Sequence, residues 1–285
     1  IIGWAHTRFG KHDDLDLEGL IARVARDAVG DAGIGFDEVD SIYVGNFGGF
    51  EKQSFPAAFA LVDEGLRFKP ATRVENACAT GSAAIHQGVN DIAARRSRFV
   101  LVVGAEKMII APGDQIGDVL LNASYRKEEG DTPGGFAGVF GRIADLYFQR
   151  YGDQSDAMAR IAAKNHRNGV ENPFAQLRKD LGYEFCRTVS DKNPYVAGPI
   201  RRTDCSLVSD GAAAVVLTDT DTAMPRRCIS GGWATRRISC PCRSATSSPS
   251  KAASRPGPRR MRRPAPRSKI CRWWRRMTAS RSRNS

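Results

Sequence analysis

After residue 225 this chain contains no Asp, Glu, Leu, Val, Phe or Tyr. A segment of 60 residues without acids and without the main core-forming side chains cannot bury enough apolar surface to fold, so as written it is expected to be disordered. The same boundary divides the charge. Residues 1–225 hold 25 Lys and Arg against 31 Asp and Glu, a net of −6, whereas residues 226–285 hold 18 basic residues and no acidic one. The overall +12 therefore comes from the tail. Nucleic-acid binding, which a basic chain invites, does not apply to the body. Folding is expected of residues 1–225, with 226–285 as a separate basic, low-complexity tail.

Within the body, helical and strand patterns alternate. Leu17 to Val29 places apolar residues at helical spacing and Gly33 follows as a stop signal. Ser41–Gly45 reads as a short strand, and the apolar run Phe99–Gly104 as a strand buried on both faces. Cys78 to Ala94 is helical and rich in small residues, 137–151 and 155–166 read as helices, and Ala212–Leu217 as another buried strand. The fold class is α/β, a sheet with helices on both sides. The Gly-, Pro- and Asp-rich stretch 105–136 is too long for a simple connection and is expected to be a functional excursion. The opening Ile1–Trp4 reads as the end of a strand whose beginning is missing, and no signal peptide pattern precedes it.

Seven cysteines occur without C-x-x-C spacing, and the C-x-C pair Cys240 and Cys242 lies in the tail. Reduced thiols in a cytoplasmic compartment are expected, with neither a disulfide framework nor a metal site. No apolar run approaches the ~20 residues that cross a bilayer, so no membrane partner is expected.

The sharpest local feature is Val74-Glu75-Asn76-Ala77-Cys78-Ala79-Thr80-Gly81-Ser82, where an extended segment turns into a helix with Cys78 at the junction. A thiol there lies near exposed N–H groups and the positive end of the helix dipole, which favours a thiolate. The same N–H groups suit the oxyanion of a thioester under attack. Local chemistry alone leaves an ordinary buried cysteine equally open. His86, two turns along the same helix, and His166 are expected to be structural, and His6 and His12 solvated. Cys205 reads as a small core residue, Cys186 carries no motif, and Gly134, Gly135 and Gly138 fit chain turns rather than a phosphate loop.

The segment around Cys78 resembles the nucleophile motif of thiolases, in particular the sterol-carrier-protein type. Further stretches are similar in the same order: Gly3 to Gly10, Val102 to Met108, Lys164-Asn165-His166 with Asn172-Pro173, and Asp204 to Ala214. The resemblance implies a five-layered αβαβα fold of two similar halves, a homodimer or homotetramer, and no cofactor beyond coenzyme A thioesters as substrates. It also implies acyl transfer through a cysteine thioester, with Cys78 matching the nucleophile and acyl-CoA and CoA as partners. Two alternatives stay open, a non-catalytic thiolase-like subunit and a ketoacyl-synthase-like enzyme using a carrier-protein thioester.

The tail then has two readings. It binds nucleic acid or an anionic membrane, with Trp273 and Trp274 as stacking groups, or it is a frame slipped near Met224–Arg227 in a GC-rich gene. Reading the third base of each codon with the first two of the next lets Arg272 to Ser285 spell VVETHDCFTIAEL. HDCF resembles a motif of sterol-carrier-type thiolases, and with Lys164-Asn165-His166 it favours thiolase over ketoacyl synthase. The frame-slip reading is preferred. In the family the second half supplies histidine and cysteine groups that activate the nucleophile. The chain as printed is therefore expected to have little activity.

Overall fold

A computed structural model describes residues 1–48, 50 and 62–226; the tail readings fall outside the described residues. The chain begins with β1 (Gly3–His6), α1 (Leu17–Ala32), β2 (Ser41–Gly45), β3 (Ala71–Val74), α2 (Thr80–Ala93) and β4 (Val100–Glu106). These are joined late by β7 (Gly211–Leu217) into one five-stranded sheet ordered β1-β7-β4-β2-β3. β4, β2 and β3 run parallel, while β7 is antiparallel to both β4 and β1. The first strand starts at Gly3, two residues later than its pattern suggests.

Strand alternation decides what each face carries. On one face Ile42, Val44, Leu101, Val103, Ala214 and Val216 pack with the apolar stripe of α1, all buried. On the other, Val100, Val102 and Leu217 pack with Ala84 of α2. α1 begins where Asp16 accepts from the Gly19 N–H (2.7 Å) and ends at Gly33, whose left-handed φ of 64° suits glycine. The far end of α2 is fixed by Asp91, which accepts from Tyr43 Oη (2.7 Å) and Ser41 Oγ (3.3 Å). The outer side of α2 leaves Ile85 and Val89 exposed.

Between β4 and β7 come α3 (Gly113–Leu120), α4 (Arg126–Glu129), α5 (Gly135–Tyr151), α6 (Ser155–Glu171), α7 (Gly182–Arg187), the β5 (Tyr195–Ala197) and β6 (Ile200–Arg201) hairpin, and after β7 α8 (Thr220–Arg226). The stretch expected as an excursion from 105 holds the end of β4 and two helices. α6 runs five residues beyond its apolar pattern because the stop is Asn172-Pro173 rather than the loss of periodicity. Arg201, 1 % exposed, joins this region: it donates to the carbonyls of Arg187 (2.8 Å) and Ser155 (2.9 Å) and pairs with Asp204 (3.2 Å).

Candidate active site

β3 ends at Val74 and α2 begins at Thr80; Cys78 lies in the five-residue turn between them. Two side chains hold the turn, the Glu75 carboxylate accepting from the Ala77 N–H and Thr80 bonding on both sides of it. Thr80 Oγ1 accepts from the Asn76 N–H (2.8 Å) and donates to the Ala77 carbonyl (2.6 Å), while the Ala79 N–H donates to the Asn76 carbonyl (2.9 Å). These bonds keep Ala77 at a left-handed φ of 45°, a conformation that costs a non-glycine residue on the order of 1 kcal/mol. The N-cap residue Ala79 makes no side-chain cap bond, and the Thr80 N–H donates to the Ala77 carbonyl (3.1 Å), so no side chain competes for the N–H groups that follow in the first turn of α2. Gly45 lets this turn approach β2, since a Cβ there would lie 3.1 Å from Thr80 Cγ2. The sequence places Cys78 at the strand-to-helix junction, and the structure finds it there, exposed.

Cys78 opens into a cavity of about 450 Å³. Its walls are Phe9, Phe47, Met108, Leu120, Phe136 and Leu207, and Gly45, Gly104 and Ala213 of the sheet also line it. The cavity lies at the carboxyl ends of β2 and β4, where parallel α/β sheets place their ligands. Residues of the stretch 105–136 thus form part of its wall.

Besides Cys78, two ionisable side chains line this cavity, His6 and Glu106. His6 is half-buried, its ring 4.9 Å from those of both Phe9 and Phe174, which corrects the expectation of a solvated side chain. The aromatic pair packs around it because β1 delivers it beside the 172–177 turn, a contact over long sequence separation. Glu106 ends β4, and its carboxyl accepts from the Phe47 N–H. Burial pushes its pKa up to about 7, against the pull of the Phe47 and Gly48 N–H groups and of Arg73. Arg73 also donates to the carbonyls of Asn46 (3.3 Å) and Phe47 (3.2 Å), and Asn46 Nδ2 to that of Ala105 (3.0 Å), so loop 46–48 is fastened to the end of β4.

A longer cleft of about 950 Å³ shares Phe9, Leu207 and Ser209 with this cavity. It carries His166, Lys192 and Arg202 together with Cys205. Cys205 is half-buried there rather than in a core, because the Arg202–Asp204 turn ahead of it brings it to the cleft wall; Cys186 is fully buried. Burial pushes both thiols up, holding them protonated. His86 is exposed on α2 and lines neither cavity, and His12 is half-buried with Nε2 2.8 Å from the Arg8 carbonyl. Gly134 and Gly135 take positive φ at the start of α5, as turn glycines do. Among the described residues no group of three His, Cys, Asp or Glu is placed to hold a metal. No described helix is long and apolar enough to cross a membrane.

The model of the thiolase N-terminal domain matches residues 1–181. The chain belongs to the thiolase family. It is 33% identical over 227 residues to an acetyl-CoA acetyltransferase of Methanothermobacter thermautotrophicus, covering 78% of this chain and 57% of the relative. It is 27% identical over 235 residues to sterol carrier protein 2 of Oryctolagus cuniculus, covering 78% of this chain and 41% of that protein. Its fold is similar to the solved Ltp2-ChsH2(DUF35) aldolase, with TM-score 0.62, 21% identity, and coverage of 78% of this chain and 56% of that one. This thiolase chain thus spans about half the length of the curated relatives it matches. The mixed α/β architecture expected from the sequence is the one found, and the fold is also similar to that of human mitochondrial 3-ketoacyl-CoA thiolase, with TM-score 0.58, 17% identity, and coverage of 79% of this chain and 66% of that one.

Glu106 is the site residue that sequence reasoning missed. A signal was present: an acid directly ends the apolar run Val100–Ala105, and a charge at the end of a buried strand commonly faces a crevice.

Proposed function

We propose that this chain is the nucleophile-bearing part of an acyl-CoA-dependent acyltransferase, with Cys78 as the acyl carrier. The observation that carries the reading is the placement of Cys78: an exposed thiol ahead of an uncapped helix N-terminus, opening into an apolar cavity at the strand ends. In this reading the Cys78 sulfur attacks either the thioester carbonyl of an acyl-CoA, coenzyme A leaving as its thiol, or the 3-oxo carbon of a 3-oxoacyl-CoA, acetyl-CoA leaving with the proton. The acyl group then passes to a second coenzyme A sulfur or to the enolate carbon of acetyl-CoA. The first N–H groups of α2 stabilise the oxyanion. The adjoining cleft, with His166, Lys192 and Arg202, suits the phosphate-bearing length of coenzyme A.

The proposal extends to a reducing, cytoplasmic compartment and to a homodimer or homotetramer of the intact enzyme. It includes a frame slip near Met224–Arg227, which deprives the printed chain of the acid–base groups of a thiolase second half. Turnover of acetoacetyl-CoA at ordinary enzyme rates by the printed chain would contradict that part, as would resequencing of codons 222–230 that finds no slip.

The test of the central claim is direct. Incubation with acetyl-CoA followed by peptide mass spectrometry is expected to place an acetyl group on Cys78, blocked by prior iodoacetamide. An unmodified Cys78 in a frame-corrected protein that binds acyl-CoA sinks the acyl-carrier role and favours a non-catalytic subunit.

A further inference from the structure

Strand register builds the floor of the Cys78 cavity. Gly45 of β2 stands beside Gly104 of β4, Gly104 beside Ala213 of β7, and Ala213 beside His6 of β1; all four line the cavity. They share the α2 side of the sheet. Tyr43, Val102 and Val215, each two residues away on its strand, pack there with Ala84, while Ala5, next to His6, packs on the α1 side. Three neighbouring strands thus offer nothing larger than a methyl group, and a Cβ at Gly104 would meet nothing nearer than the Gly45 carbonyl, 3.9 Å away. The floor is a trough, with the Cys78 turn resting on Gly45 at one end and the His6 ring at the other.

His6 presents one nitrogen to this trough. Its Nδ1 lies against the Thr7 carbonyl, which only an N–H can satisfy, so in the neutral ring Nε2 carries the lone pair. Phe9 and Phe174 hold the ring on two sides, and Nε2 has no hydrogen-bond partner among the described residues. This end of the trough adjoins the longer cleft, since Phe9 lines both. Neighbouring strands lie roughly 4.8 Å apart, so three steps put His6 about 14 Å from Gly45. In an extended pantetheine arm the distal amide nitrogen is seven bonds from the sulfur, roughly 9 Å, which becomes about 12 Å from Cys78 Sγ once the thioester carbon is counted. The proximal amide nitrogen stops roughly 5 Å short of that.

We propose that His6 is a binding residue for the thiol arm of the substrate: its Nε2 accepts a hydrogen bond from the distal amide N–H of pantetheine while the arm lies in the Gly45–Gly104–Ala213 trough. This rests on the reading of Cys78 as acyl carrier. The chain then selects thioesters by the thiol they carry, whatever the acyl group. An arm with an N–H at the distal position is favoured over one that has an oxygen there, because only the N–H can donate to the ring nitrogen.

The test uses the full chain and follows acetylation of Cys78 by peptide mass. The reagents are S-acetylpantetheine, its analogue with an ester oxygen in place of the distal N–H, and S-acetyl-N-acetylcysteamine, which ends before the distal amide. In each, the Cys78 sulfur bonds to the acetyl carbon, the carbon–sulfur bond to the departing thiol breaks, and the Cys78 proton ends on that thiol. S-acetylpantetheine is expected to react about fivefold faster than its ester analogue, the effect of one hydrogen bond. His6→Phe, which keeps a ring beside Phe9 and Phe174 but no acceptor, is expected to bring this ratio to about one; a general disturbance of Cys78 changes both rates and cancels. His6→Gln, whose amide oxygen reaches about as far as Nε2, is expected to keep most of the preference. A wild-type ratio of one, or a Phe variant with the wild-type preference, overturns the role of His6 while leaving acylation of Cys78 standing. The wild-type comparison decides this even where a variant does not fold. If none of the three thioesters acetylates Cys78, S-acetyl-N-acetylcysteamine included, the acyl-carrier reading falls and this inference with it.

Discussion

Lys107 and Asp210 form a buried ion pair 3.4 Å apart that ties the exit of β4 to the entry of β7. Asp210, 1 % exposed, also accepts from the N–H groups of Met108 (2.8 Å), Ile109 (2.9 Å) and His12 (3.3 Å), and Lys107 donates to the His12 carbonyl. One carboxylate thus gathers three chain segments just beneath the cavity, whose wall includes Met108.

Asp210→Ala leaves Lys107 buried without its counter-charge and three backbone N–H groups without this acceptor. The expected loss is about 3–5 kcal/mol of stability, measured as a lower urea midpoint at unchanged slope. Asp210→Asn keeps an acceptor for the N–H groups and is expected to lose clearly less. Equal losses in the two variants would show that the retained acceptor contributes nothing and that the charge carries the whole effect.

Gly45 and Gly104 face each other across β2 and β4, yet they differ in what a side chain would meet. At Gly45 a Cβ presses on Thr80 Cγ2 at 3.1 Å, whereas at Gly104 it enters open cavity. Gly45→Val is expected to destabilise by about 1–3 kcal/mol through overpacking. Gly104→Val is expected to leave thermal stability within about 1 kcal/mol while slowing acylation of Cys78 by a bulky thioester far more than alkylation by iodoacetamide. A Gly104→Val protein that treats both reagents as wild type does would place the acyl path elsewhere.

The contrast between these elements explains what the sequence could and could not disclose. α1 is legible because its buried residues recur at intervals of three and four between an Asp16 cap and Gly33. The junction at Cys78 is legible because its apolar strand, small residues and helix are contiguous. β3 is hard to read since Thr72 and Arg73 of this four-residue edge strand are exposed, leaving no alternation. The β5–β6 hairpin is too short to carry a period. Glu106 gains its role from Phe47, 59 residues away, and His6 from Phe174; neither contact leaves a local trace in the chain. Sites built by long-range juxtaposition are where local reading stops.

Burial of Glu106 makes stability depend on pH in a definite direction. Its folded pKa, about 7, lies above the ordinary 4.5, so between these values the folded state binds more protons than the unfolded state. Stability from this group is complete below about pH 4.5 and is lost as pH rises through about 7. The loss is on the order of 3 kcal/mol. Relative to wild type, Glu106→Gln is therefore expected to gain stability between pH 5 and pH 8 by roughly that amount. Urea titrations of both proteins at the two pH values measure it, and parallel stability curves would refute a raised Glu106 pKa.

Thr80 offers the cleanest separation between the shape of the nucleophile turn and its hydrogen bonds. Thr80→Val preserves the Cγ2 that rests over Gly45 but deletes the oxygen serving both the Asn76 N–H and the Ala77 carbonyl. Thr80 itself is 7 % exposed, while Asn76 is exposed and Ala77 half-buried, so the bonds lost are part-buried ones. The expected cost is about 1–3 kcal/mol. Because the same bonds hold Ala77 at positive φ, the turn should also relax toward ordinary backbone angles and carry Cys78 with it. Cys78 alkylation by iodoacetamide is then expected to change in rate, whereas Thr80→Ser, which retains the hydroxyl, keeps the wild-type rate despite its missing methyl group. If the Ser variant proved the more disturbed of the two, packing against Gly45 rather than the bridging hydroxyl would be what fixes the position of the sulfur.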